Sequence, residues 1–323
     1  MFTQDVSRRR ATQEQWRELN RIRSIHNPRQ QWVYGTRECV RRILRVFPPV
    51  GITSSLYNMS ITYHSNSTIT IPYGYFASQH NAVENSQQDW AKGKDQLVAW
   101  MSSARKNRSN SWRREDFVNY LSLFMNIHMY GRSRQRQCPS NTEEECRRTI
   151  SKYKFYLSFE NNCCGEYITE KFWRTLTWGV VPIVIGAPKE NYLRLAPPNS
   201  FIYADDFQSA KDLADYIMLL HSNDTMYNTY HQWRENFVAV NNFPDLDSTK
   251  AITTVPQPNF VYSCQTVCKV AEKFIEGERR TTGNQVTSSY HFDPMTSWWG
   301  GSCTACGSQS WIRQFSSGKY FET

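Results

Sequence analysis

The sequence predicts an α/β fold with a parallel sheet, in a chain long enough for two domains, and three observations carry that expectation. From residue 153 onward, short apolar runs alternate with amphipathic helical stretches, the pattern of a parallel sheet with crossover helices. The run "VVPIVIG" is apolar at nearly every position, as a strand covered on both faces must be. The chain has 323 residues, enough for two packed cores.

The elements follow in order. Residues 12–24 read as a helix, and "QQWVYGT" at 30–36 as a strand. "SITYHSNSTITIPYG" reads as one or two strands around a Ser/Asn turn. Trp90 to Lys94 reads as a polar linker, and "DQLVAWMSS" at 95–103 as the strand that opens a second domain. A basic loop follows, then "REDFVNYLSLF" as a helix and "NIHMYG" as a strand. In "YKFYLSF" the side chains of Phe155, Leu157 and Phe159 fall on one strand face. A helix from 165 to Trp178 comes next, stopped by Gly179, and then the buried-type strand. "SFIYADDF" reads as a further strand. "SAKDLADYIMLLHS" reads as a helix with Ala210, Leu213, Ala214 and Ile217 on one side. The expected organisation is residues 1–94, an N-terminal domain; 95–250, a C-terminal domain; and 251–323, an extension with cysteine pairs.

The net charge is +9, and residues 1–50 hold eleven arginines against four acids. No RNP motif, zinc-finger spacing or DNA-binding pattern accompanies that charge, so a solvated basic face is expected and no nucleic-acid partner. No apolar run approaches a membrane span and "MFTQDVSRRRATQEQ" lacks the apolar core of a signal peptide, which by itself reads as a soluble cytosolic chain. Nine cysteines argue against the cytosol. Cys138 and Cys146 bracket a polar loop, and Cys303 and Cys306 form a CxxC with no histidine close by, so local disulfides fit better than zinc. The sequons at Asn58, Asn66, Asn107 and Asn223 lean towards the secretory pathway.

Chemistry concentrates in "FENNCCGEYITEKFW". At about 100° per residue, a helix from 165 puts Glu170, Lys171 and Arg174 on the same side as Tyr167, opposite Ile168, Phe172 and Leu176. A solvated face with a Glu170–Arg174 pair and an anion site at a helix N-terminus stand level on pattern alone. Either lies beyond the carboxyl end of a strand, where parallel sheets bind ligands.

The same stretch, followed by "GVVPIVIGAP" and "SFIYADDF", closely resembles the α1,3-fucosyltransferase family (GT10-like). Asn161, Tyr167, Thr169, Glu170, Lys171, Pro182, Gly186, Ser200 and Asp206 stand at that family's spacing. "NMSITYHSNSTITIPYG" and "QQWVYGTRECV" are similar to two upstream family segments; in the second, Glu38 takes the family's Glu position and is followed by Cys39 and Val40 in place of Ser-Pro. "LVAWMSS" resembles the stretch before a donor-binding arginine, for which Arg114 is the best equivalent, with Arg108 and Arg113 as rivals. "HFDPMTSWWGGSCTAC" resembles the C-terminal extension of members that fucosylate the N-glycan core in plants and invertebrates; a disulfide-tied return onto the first domain is the plainer account of it.

The resemblance implies a GT-B architecture, two Rossmann-like domains with the active site in the cleft between them. It implies an inverting transfer of L-fucose from GDP-fucose to a GlcNAc hydroxyl in α1,3 linkage on glycoprotein N-glycans, core slightly ahead of Lewis-type. Asn161 and Tyr167 would meet the nucleotide, Glu170 the fucose or ribose hydroxyls, Lys171 and Arg114 the phosphates, and Glu38 would be the base. No cofactor is required, a divalent cation being stimulatory at most, and Asp205-Asp206 is read as structural or nucleotide-proximal instead of a metal clamp. The partners implied are GDP-fucose and an N-glycan or glycoprotein acceptor, with a Golgi type II membrane protein whose anchor lies outside this chain. The rival reading is a catalytically silent protein on the same fold that binds a GDP-sugar or glycan, motivated by Cys39-Val40 and by Ser103 in place of the family's Asn.

Overall fold

The computed structural model describes residues 17–18, 21, 24–25, 32–40, 57–78, 88–102, 112–131, 143–242, 268, 271–273 and 297–316. The chain forms two compact units, Met1–Ile71 with Thr254–Cys303, and Pro72–Thr253 with Thr304–Thr323. The first break falls at 71/72, ahead of the 94/95 read from the sequence, because Trp90 to Lys94 is no free linker. Trp90 stacks on His231 with ring centroids 5.0 Å apart. Lys94 Nζ donates to the carbonyls of Ser151 (2.6 Å) and Tyr153 (3.2 Å).

In the first unit, β1 (Val33–Gly35), β2 (Met59–Thr62) and β3 (Ile69–Thr70) form a parallel sheet in that order. Ile61, Ile69 and Ile71 bury its small core. The segment read as one or two strands is two strands running the same way, joined by a short loop. Hydroxyl groups make that connection possible without a helix. The Ser60 N–H donates to Thr68 Oγ1 and the Thr68 N–H to Ser60 Oγ, both at 3.1 Å, and the Thr62 and Ser67 hydroxyls bond each other. Backbone groups that a ladder would satisfy are met by side chains instead.

The second unit opens with β4 (Gly74–Ser78) and continues through β5 (Gln96–Met101), α1 (Arg114–Leu121), β6 (Ile127–Tyr130), α2 (Glu143–Ile150) and β7 (Tyr153–Phe159). After a two-residue strand β8 (Cys163–Cys164) come α3 (Glu170–Thr177), β9 (Val181–Ile185), α4 (Lys189–Leu195), β10 (Ile202–Tyr203), α5 (Ala210–Ser222), α6 (Asp224–Thr229) and β11 (Phe237–Asn241). Near the C-terminal end lies a short helix α7 (Ser310–Arg313). The main sheet is parallel, in the order β10-β9-β7-β5-β6. All seven residues of β7 are buried. Phe155, Leu157 and Phe159 enter one core, as their alternation predicts, while Tyr153 and Tyr156 enter a second core with Ile150, Trp178 and Val180. From β5 the chain steps to β6 on one side and then to β7 on the other. The strand order therefore reverses between β5 and β7, and the carboxyl ends of these two strands mark the crevice where such sheets take ligands.

Three local expectations are corrected. The helix read from 165 begins at Glu170, with Thr169 as its N-cap, so Tyr167 precedes the helix. Glu166 takes a left-handed backbone (φ 57°), and the Tyr167 N–H bonds the Cys164 carbonyl (3.1 Å), so residues 164–168 turn instead of coiling. The strand read over "SFIYADDF" is only Ile202–Tyr203, and Ala204–Asp206 is a single tight turn. That turn aims Asp205 at the tail, where its oxygens accept the N–H groups of Ser308 (2.7 Å) and Gln309 (2.9 Å) and the Ser308 hydroxyl. Lastly, Cys303 and Cys306 do not bridge each other. Cys306 is bonded to Cys163, 143 residues away, and Cys303, Cys164 and Cys146 also lie in disulfides. Cys138 and Cys264 fall outside the described residues. The tail divides between the units: the stretch to Cys303 belongs to the first, as its plainer account expected, with Trp299 against Tyr63 (centroids 5.3 Å apart), while from Thr304 it returns onto the parallel-sheet unit, where Trp311 and Ile312 enter the core and Trp311 Nε1 donates to the Phe207 carbonyl (2.9 Å).

The Cys163–Cys306 bond closes a long loop, so its loss chiefly releases the unfolded chain. Cys306→Ser should lower stability by about 2–5 kcal/mol in urea denaturation. It should also expose the Trp311 segment to limited proteolysis; an unchanged midpoint would mean that the buried Trp311 and Ile312 hold the tail unaided.

Candidate active site

At the end of β7 the chain emerges as Glu160-Asn161-Asn162, all three buried. Glu160 is wholly enclosed, and a carboxylate there must find partners. Its backbone is fixed on both sides, the N–H to the Ile185 carbonyl (2.8 Å) and the carbonyl to Trp112 Nε1 (2.9 Å). Its Oε1 accepts the Thr169 N–H and hydroxyl, both at 2.8 Å. Its Oε2 accepts Lys171 Nζ at 3.1 Å. Gly186 gives this carboxylate its room: a Cβ there would lie 2.7 Å from Glu160 Cγ.

Lys171 is the centre of the cluster. Its ammonium also donates to Thr169 Oγ1 (2.7 Å) and Glu170 Oε1 (3.0 Å). The start of α3 is in turn pinned to β7, since the Ser158 hydroxyl donates to the Lys171 carbonyl (3.0 Å). Phe172, Trp173 and Leu176 are buried, the apolar side that the sequence pattern predicts. Glu170 and Lys171 keep 22% of their side-chain surfaces exposed. Glu170 also stands in the first helical turn, where the dipole favours an anion.

Electrostatics follows from this geometry. Burial raises the Glu160 carboxyl, against the pull of the Lys171 ammonium. Burial also acts to raise Glu170, but Lys171 and then Arg174 overcome it and hold the group down at about 2. Burial acts to lower Lys171, and the two carboxylates more than offset it.

Of the two arginine candidates among the described residues, Arg114 is the one buried beside the cluster. Its Nη1 donates to the Phe159 carbonyl (2.9 Å), and burial holds its guanidinium below the ordinary arginine value despite the opposing pull of Glu160. Arg113 points outward to Asp116 and the Gln314 carbonyl, and Arg108 lies outside the described residues. Tyr167 is buried, edge-on to Tyr73 with centroids 6.0 Å apart. Among the described residues, buried atoms without a hydrogen-bond partner at this end of the sheet include Arg114 Nε, Asn161 Oδ1 and Asn162 Nδ2. Arg114, Asn161, Tyr167, Glu170 and Lys171 therefore belong to one unit and one end of its sheet. Glu38 belongs to the other unit, half-buried after β1, with its N–H donating to Thr36 Oγ1 (3.1 Å).

Residues 91–288 match the family model described as glycosyltransferase family 10 (fucosyltransferase) C-term. The chain belongs to glycosyltransferase family 10. It is 39% identical over 181 residues to a 4-galactosyl-N-acetylglucosaminide 3-alpha-L-fucosyltransferase of Pongo pygmaeus, covering 55% of this chain and 48% of that protein. To the enzyme of that name in Homo sapiens it is 35% identical over 214 residues, covering 66% of this chain and 56% of the other. A 3-galactosyl-N-acetylglucosaminide 4-alpha-L-fucosyltransferase of Homo sapiens is 39% identical over 180 residues, 55% of this chain and 48% of its own length. The chain spans about half the length of the curated relatives it matches. A crystal structure of an alpha1,3-fucosyltransferase with GDP aligns with a TM-score of 0.50 at 19% identity, over 82% of this chain and 78% of the other, a likeness of fold that supports the GT-B class.

In this family 10 chain the family positions outside the cluster have visible structural work. Ser200 is buried and donates to the Pro197 carbonyl (2.7 Å), and Asp206 pairs with Lys189 at 2.7 Å. Asp205, held by the tail, is structural, as one of its two readings anticipated. Among the described residues no group of three His, Cys, Asp or Glu side chains is arranged to hold a metal ion. Glu160 is the residue to which sequence reasoning gave no role, although it stands in the resembling stretch; its further signal was a lone acid closing a strand that is otherwise buried.

Glu170 gives a test of the ion pairing. Its folded value lies below the ordinary 4.5, so the stability it contributes is complete above that pH and is lost as pH falls towards about 2. Unfolding free energies from urea titrations of wild type and Glu170→Gln should differ by roughly 2 kcal/mol at neutral pH and converge on acidification. A gap that stays constant with pH would remove the Lys171 pairing as its source.

Proposed function

We propose that this chain is the catalytic part of an inverting fucosyltransferase that moves L-fucose from GDP-fucose to a GlcNAc hydroxyl in α1,3 linkage on N-glycans. The observation that carries this reading is the cluster at the switch point of the parallel sheet, where Lys171 and Arg114 bring positive charge to the end of β7 beside the start of α3. A diphosphate leaving group needs such charge as the glycosidic bond breaks. Lys171 and Arg114 meet the phosphates, Glu170 takes a fucose or ribose hydroxyl, and Asn161 and Tyr167 face the nucleotide. The unsatisfied Arg114 Nε and Asn161 Oδ1 suit that assignment. Inversion is one displacement at the anomeric carbon. The acceptor oxygen bonds to that carbon, GDP departs with the electron pair of the broken bond, and a carboxylate takes the acceptor proton. Glu38 is assigned that last role. The chemistry calls for no cofactor.

The family match, over 91–288, supports the donor side more than the acceptor side. The tail's resemblance favours a core GlcNAc, whereas the names of the primate relatives specify galactosylated GlcNAc. The compartment is the Golgi lumen, a reading favoured by the disulfides, which need oxidising conditions. No helix of the described residues is long and apolar enough to cross a membrane. A second reading, a silent GDP-sugar or glycan binder, is favoured by the buried Cys39-Val40 after Glu38.

Incubation of the purified protein with GDP-fucose and either a core glycopeptide or an N-acetyllactosamine acceptor separates these. Fucose on one acceptor names it; GDP binding without transfer to either would establish the silent reading. Lys171→Ala should weaken GDP binding and turnover by about 2–3 kcal/mol, the scale of a lost charge-assisted contact. Glu38→Gln should cut turnover and leave GDP affinity intact, and retained turnover would move the base elsewhere.

A further inference from the structure

We propose that Glu160 is a positioning residue, the fixed anchor that holds the Lys171 ammonium in place while Glu170 is left able to engage a ligand. The proposal rests on the reading above for what Lys171 does, but the coupling between the two side chains is independent of it.

The argument starts from the unequal settings of the two carboxylates. Glu160 is fully buried, with its backbone tied to β9 and to Trp112 and its side chain enclosed against Gly186. Glu170 sits one residue from Lys171 on the first turn of α3, partly exposed, bonded to the same ammonium. Lysine is a flexible point charge with three donors and no fixed direction. Here each donor has an acceptor: Glu160 Oε2, Thr169 Oγ1 and Glu170 Oε1. Glu160 sets two of the three. It bonds Lys171 directly, and it receives both the N–H and the hydroxyl of Thr169, which turns the Thr169 oxygen towards the ammonium. If Glu170 turns to a sugar hydroxyl, Lys171 keeps its two buried contacts and loses only the exposed one. Glutamine at 160 matches the shape but not the chemistry. Its amide N–H₂ would face either the Thr169 donors or the Lys171 ammonium, donor against donor.

The test has two arms. In the first, amine acylation of each lysine is followed by mass spectrometry at about pH 9. Removing the buried anion lowers the pKa of Lys171, so Glu160→Gln should raise acylation of Lys171 about tenfold, with other lysines unchanged. In the second, calorimetry gives GDP affinity for wild type, Glu160→Gln, Lys171→Ala and the double variant. Glu160→Gln should weaken GDP about tenfold when Lys171 is present and less than about twofold when it is absent. An equal loss in both backgrounds, or unaltered Lys171 acylation, would overturn the proposal and make Glu160 a residue of the fold alone. Glu160→Asp, which keeps the charge one methylene shorter, replaces the glutamine variant if the latter does not fold, with a smaller change of the same sign expected. Should wild type bind GDP and transfer no fucose, the transferase reading fails while the affinity cycle still decides the anchor. Should wild type bind no GDP, the acylation arm alone decides it.

Discussion

A carboxylate sealed at the end of the central strand needs compensation before anything else in the second unit can be settled. Leaving a buried charge unpaired destabilises by several kcal/mol, so the groups around Glu160 are constrained as a set. Thr169 has to cap α3 with its hydroxyl and backbone N–H turned back to β7, which fixes where that helix begins. Lys171 has to follow two residues later to reach the same carboxylate. Gly186 has to lack a side chain where β9 leaves the sheet. Trp112 has to bring its indole from the segment ahead of α1. The spacing Glu160, Thr169, Lys171 and Gly186 is thus the footprint of one electrostatic requirement, and the cluster around Lys171 is assembled in meeting it.

The parallel sheet was readable because its signals are local. The alternation of Phe155, Leu157 and Phe159, the run "VVPIVIG", the stop at Gly179 and the stripe from Ala210 to Ile217 each depend on neighbours a few residues away. The grouping of Asn161, Glu170 and Lys171 at one strand end was legible for the same reason. What escaped was set over long distances. The helix start was placed too early because nothing in "GEYI" announces the left-handed Glu166, whose N–H is met by Asn191 Oδ1 from α4 (2.8 Å). The choice between Arg113 and Arg114 needed to show which one turns inward to the Phe159 carbonyl. Glu160 stood inside the quoted "FENNCCGEYITEKFW" but drew no role, since one acid after an apolar run looks the same whether it ends in solvent or in the core.

The cysteines teach the same lesson more sharply. Spacing suggested bridges across short loops, and CxxC is a local motif. For the CxxC the chain instead draws Cys306 to Cys163, and both members of the adjacent pair in "NNCCG" end in disulfides, while Cys138 lies outside the described residues. Asp205 works alongside them, receiving the tail's backbone N–H groups just after Cys306. An aspartate pair that could be read as a metal clamp is divided between two tasks, tail docking for Asp205 and an ion pair with Lys189 for Asp206.

The docked tail has a consequence for the order in which the protein can be made. Trp311 and Ile312 fill the core under α1 and β7, and Arg113 bonds the Phe315 carbonyl through its backbone N–H (2.8 Å). The parallel sheet therefore cannot be sealed until translation has passed residue 316. The stretch Thr254–Cys303, which belongs to the first unit, is synthesised between the two parts of the second. Folding the units one after the other from the N-terminus, the usual course for a nascent multidomain chain, is barred. An incomplete polypeptide therefore lacks the Trp311 and Ile312 side chains of the sheet unit's core and the partner of Cys163.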